Sequence, residues 1–101
     1  MSERDTDPRE ADRGHRQTFR EAIETWGAET QIDLALEELG ELQTALARHR
    51  RGRADVEDVA EEIADVRIMA RQLSVVYGED RVDSHVERKM ERLRERLDDA
   101  E

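Results

Sequence analysis

Two acidic motifs, Glu38-Leu-Gly-Glu41 and Glu62-Ile-Ala-Asp65, each interrupt a run of apolar residues at helical spacing. On a wheel of about 100° per residue, Glu62 falls among Val59, Val66, Met69 and Leu73, inside the apolar sector. Glu38 lies at the edge of the stripe of Ala35, Leu39, Leu42 and Leu46, with Leu34 and Ala45 on its other flank and Glu41 beside it. Three-residue spacing sets the two acids of each motif about 60° apart, so each motif offers two carboxylates to one point. An unpaired carboxylate on a packing face loses hydration or is forced to take up a proton. Four of them converging call for a cation. Hard oxygen donors without His or Cys suit Mg²⁺ or Mn²⁺ over zinc. Such an ion keeps some waters and recruits substrate phosphates, so the matching chemistry is attack of water on phosphorus with the departing phosphate charge stabilised. Glu-rich helices also contain this spacing by chance, and Glu37, Glu57 and Glu61 show how common acid is here. From the pattern alone, a metal site and a solvated acidic face both remain open.

Four helices are expected to position these groups. Phe19, Ala22, Ile23 and Trp26 predict a short helix from Thr18 to Trp26, stopped by Gly27. The helix of the first motif is expected from Thr30 to about Arg51, with Arg48, Arg50 and Arg51 at its negative end and Gly52 as its C-terminal cap. Asp55 is placed to cap a third helix running to Tyr77, with Gly78 as its stop. A fourth, from about Asp80 to Leu97, carries Val82, Val86, Met90, Leu93 and Leu97 as a heptad-like stripe, and residues 98–101 are expected to fray. The short link from Arg51 to Asp55 favours antiparallel packing of the two motif helices, which would bring the motifs to one height. Residues 1–16, polar and carrying Pro8 and Gly14, are expected to be a flexible tail, with an all-α domain over 17–98.

Composition agrees with long helices: 44% of the residues are charged and 3% aromatic. A net charge of −10 opposes general nucleic-acid binding, which needs a basic surface. There are no cysteines, so thiolate metal sites and disulfides are excluded. No run approaches the roughly 20 apolar residues of a membrane span, and no apolar leader segment is visible, so a cytoplasmic protein is expected. At 101 residues the chain is one domain, too small to bury more than roughly 60–65% of its unfolded surface, and self-association is the natural remedy. His15, His49 and His85 are too dispersed to read as a site.

At EELGEL, residues 37–42, followed by EEIADV, residues 61–66, the chain resembles the MazG-like nucleoside triphosphate pyrophosphohydrolases, an all-α group that also includes dimeric dUTPases and phosphoribosyl-ATP pyrophosphohydrolase. The family pattern is ExxE, a spacer, then ExxD. The resemblance covers about residues 19–97. It implies a four-helix-type domain assembling into a helical-bundle homo-oligomer, a dimer or tetramer. It implies Mg²⁺-dependent (or Mn²⁺-dependent) hydrolysis of a nucleoside triphosphate to monophosphate and pyrophosphate. Glu38, Glu41, Glu62 and Asp65 would hold the metal, with Glu41 or Glu38 orienting the attacking water. The sole lysine, Lys89, matches a family lysine on the last helix and with Arg96 would neutralise phosphate. Trp26 sits where relatives often carry an aromatic before the acidic helix, placed either to stack on a base or to pack in the core. Two positions depart from the pattern: Leu93 stands where many relatives have Asn, and Met69 where some have Tyr. The alternative is a non-catalytic helical oligomerisation module whose carboxylates are solvated or paired with Arg67 and Arg71.

Overall fold

A computed structural model describes residues 7–100, which form four helices: α1 (Pro8–Trp26), α2 (Ala28–Arg50), α3 (Val56–Tyr77) and α4 (Glu79–Ala100). No strand occurs among the described residues.

Helix α1 starts at Pro8 instead of Thr18, so the expected tail is corrected for residues 8–16; residues 1–6 lie outside the described span. Proline is well suited to a first helical turn, where its missing N–H would have no partner anyway. Asp7 precedes it as the N-cap and accepts from the Arg9 amide at 2.9 Å. The early turns are held by charge, not by apolar burial. Asp12 is bonded by Arg71 of α3, and Arg16 meets Glu79 of α4 at 2.9 Å. The Arg71 guanidinium also lies over the ring of Phe19, 5.4 Å from its centre.

A single residue, Gly27, joins α1 to α2, with a φ of 88° that a side chain would oppose. It takes the N-cap place expected of Thr30, and α2 begins at Ala28. The turn between α2 and α3 is closed more firmly. Gly52, at φ 72°, donates to the His49 carbonyl at 3.0 Å while the Arg53 amide reaches the Arg48 carbonyl at 2.9 Å, a Schellman ending. The His49 ring lies 2.9 Å from the Ala54 carbonyl, and Asp55 and Asp58 then cap α3 reciprocally at 2.9 and 3.0 Å. Gly78 ends α3 as expected.

Helices α2 and α3 form an antiparallel hairpin, α1 lies against both, and α4 packs on α3 and meets α1 through the Arg16–Glu79 ion pair. The core is thin. Phe19, Ala35 and Ala45 are buried, together with a Gln31–Gln72 pair in which the Gln72 amide donates to the Gln31 carbonyl oxygen. The face that α2 turns inward is therefore Gln31, Ala35, Glu38, Leu42 and Ala45, rotated from the expected leucine stripe. Leu34, Leu36, Leu39 and Leu46 all stay exposed. Fully burying one Phe contributes only about 1.5–3 kcal/mol, so much of this chain's apolar surface is left for burial elsewhere. The radius of gyration, 16.7 Å, exceeds the ~13 Å of a compact domain of this length, because α4 extends from the body and does not close a bundle within the chain.

Candidate metal centre

Glu41 and Glu62 lie equally far from the Arg51–Gly52 peptide along the chain, and so do Glu38 and Asp65. An antiparallel hairpin folded at that turn must bring each pair to one level. It does so: one carboxylate oxygen from each of Glu38, Glu41, Glu62 and Asp65 lies within 4.8 Å of the other three. Glu38 and Glu62 are half-buried between the helices, whereas Glu41 and Asp65 are exposed at the mouth of the cluster.

The electrostatics are those of an unneutralised acidic site. Burial first, and then the charges of Glu41 and Asp65, raise the Glu38 and Glu62 carboxyls above their ordinary value. The Oε2 atoms of Glu38 and Glu62 are buried without any protein hydrogen-bond partner. A buried oxygen in that condition is costly unless something positive meets it. Among the described residues no Lys or Arg forms an ion pair with the cluster. Arg71, a pairing partner in the module reading, is engaged by Asp12 and Phe19 instead. The donor set of hard oxygens, two of them buried and orphaned, fits Mg²⁺ or Mn²⁺.

Beside the cluster, a groove of about 780 Å³ runs between α2 and α3 towards their turn, lined by Gly40, Glu41, Thr44, Arg48, Asp58 and Glu62 among others. Arg48 is its sole cation. The sequence shows Arg48 as the first residue of a basic run, and its place beside Glu41 and Glu62 was readable from its position seven residues, about two turns, after Glu41. The expected binding residues are not brought to this groove. Lys89 and Arg96 are exposed along α4, and Trp26 is 63% exposed at the end of α1. The Gln31–Gln72 pair went unforeseen, since a glutamine carries no periodic signal, although Gln31 stands one turn before Ala35 on the inward face.

No helix among the described residues is long and apolar enough to cross a membrane. Comparison of the chain with protein-family models, with curated proteins and with solved structures finds no match.

Proposed function

We propose that this chain is a divalent-cation-dependent hydrolase that cleaves a nucleoside triphosphate, NTP or dNTP, between the α and β phosphorus atoms, yielding monophosphate and pyrophosphate, as in cleansing of a nucleotide pool. The observation that carries the reading is the convergence of four carboxylates with two buried, unpartnered oxygens between α2 and α3. Hard-oxygen chemistry suggests the cation, and the resemblance of residues 37–42 and 61–66 to the MazG-like pattern suggests the substrate.

In this reading Glu38 and Glu62, half-buried between the helices, would hold Mg²⁺ or Mn²⁺ together with the exposed Glu41 and Asp65. A bound ion of this kind neutralises phosphate charge and lowers the pKa of coordinated water. Glu41, which lines both cluster and groove, is placed to orient a water and accept its proton, with Glu38 as the other candidate. Arg48 neutralises phosphate within the groove. Roles for Lys89, Arg96 and Trp26 require a second copy, consistent with a protein working as a homo-oligomer.

A screen of NTPs and dNTPs with Mg²⁺ and Mn²⁺, read as pyrophosphate release, tests the proposal. Release from at least one nucleotide, abolished by EDTA, is expected. No release from any of them would overturn it. The alternative, a non-catalytic oligomerisation module, draws support from the exposed apolar stripe of α4. Divalent cation raises the melting temperature under the hydrolase reading and leaves it unchanged under the module reading.

A further inference from the structure

Every residue of α4 from Asp83 to Ala100 is exposed; only Glu79 and Val82 at its start are half-buried. Along the projecting part, Val86, Met90, Leu93 and Leu97 stand 42–60% exposed. They recur at spacings of four, three and four and so form a narrow seam of coiled-coil type. Residues 83–100 span about 27 Å at 1.5 Å per residue. Helices gain most of their stability in water from packing of such a face.

We propose that this seam is covered by the same seam of a second copy, with the two α4 helices antiparallel and Met90 of each packed against Leu93 of the other. The proposal gives geometry to the self-association suggested above and does not depend on the hydrolase reading. Three features select it. First, the register that sets Met90 opposite Leu93 also sets Val86 opposite Leu97 and Asp83 opposite Ala100, so the projecting part of one helix is covered end to end by that of the other. Second, the same register sets Glu87 beside Arg94 of the second copy, twice over. A parallel pair instead sets Lys89 against Arg94 of the second copy, like against like. Third, the α1–α3 body, residues 7–78, carries a net charge of −6, whereas α4 carries only −2. Antiparallel pairing holds the two acidic bodies at opposite ends of a rod longer than the ~8 Å screening length of physiological salt, whereas parallel pairing sets them side by side. The antiparallel pair has one unfavourable edge, where Lys89 faces Arg96 of the second copy, also twice over; both side chains are exposed there and open to solvent screening.

The chain has no cysteine, so single substitutions report cleanly. The experiment combines sedimentation of the full chain with oxidation of Met90→Cys alone, and of Met90→Cys mixed under reducing conditions with Leu93→Cys. The expected result is a dimer at micromolar concentration, with the 90–93 disulfide as the dominant product of the mixture and little product from Met90→Cys alone. Cross-linking of Met90→Cys alone in preference to the mixture would mean parallel pairing and overturn the proposal. A dimer in which neither sample cross-links would mean that α4 covers another face of the second copy, and a monomer would mean that the seam has a different partner. Either result overturns it.

Discussion

Helices α2 and α4 are of similar length and both carry regularly spaced apolar residues, yet they use them oppositely. Helix α2 turns Gln31, Ala35, Glu38 and Ala45 inward with a single leucine, Leu42, and leaves Leu34, Leu36, Leu39 and Leu46 exposed. Helix α4 has a seam of Val86, Met90, Leu93 and Leu97, and nothing among the described residues covers it beyond the first turn. Apolar periodicity therefore marks a surface that requires burial, without saying whose surface meets it. Polar residues on a contact face mark a place where the chain gives up packing for something else. In α2 and α3 that something is the carboxylate cluster.

The strongest way to break this contrast is Glu62→Gln. If Glu62 faces inward to hold a cation, removing its charge at constant shape should lower pyrophosphate release at least ~100-fold, the upper range for loss of even an outer partner of a metal site. Melting temperature in EDTA should hold or rise, because one of four repelling carboxylates is gone. A large fall in apo stability would instead make Glu62 a structural partner.

The buried glutamines test the same idea where no metal is involved. Gln72→Ala strands the Gln31 side chain, whose Nε2 already lacks a partner, and should cost about 1–3 kcal/mol. Replacing both with Leu should recover most of that loss in chemical denaturation. If the double variant is as unstable as the single one, the pair contributes more than mutual satisfaction.

Much of this was legible in the sequence. Gly27, Gly52 and Gly78 end helices as expected, the Asp55 cap is present, and the wheel placed Glu38 and Glu62 on the facing sides of α2 and α3. What stayed hidden depends on distant partners. Residues 8–16 have no apolar period, and their helix is held by Asp12 and Arg16 reaching Arg71 and Glu79, contacts that no local window contains. The rotation of α2 was hidden because leucine outranks glutamine in any hydrophobic count, while the fully buried residues of α2 are Gln31, Ala35 and Ala45.

pH sharpens the comparison further, since the raised carboxyls of Glu38 and Glu62 bear on the site and not on α4. A folded-state pKa above the unfolded one means that protonation favours the fold. That contribution is complete below the ordinary value of 4.5 and is lost as pH rises through the raised folded values. In EDTA, the two groups should therefore raise the melting temperature as pH is lowered from neutral towards 4.5. The extra stability given by Mg²⁺ should shrink over the same interval, as protons compete for the carboxylates. Thermal melts across that range, with and without Mg²⁺, check the sign. The smallest effect is expected at Asp12→Asn, which removes partly exposed ion pairs and should cost less than about 1 kcal/mol. That difference should vanish in high salt.

The placement of the motifs on either side of one firmly closed turn has a consequence for how the chain folds. All four carboxylates belong to a single helical hairpin, so their encounter requires only local chain closure and none of the docking of α1 or α4. Like charges are then gathered on the way to the native state, and the barrier itself should carry their repulsion. A divalent cation should accordingly speed refolding, beyond slowing unfolding, as expected for contacts already formed in the transition state. Stopped-flow refolding with Mg²⁺ and with EDTA reads this directly. An ion that slows unfolding and leaves the refolding rate untouched would place the meeting of the motifs after the barrier, among the last events of folding.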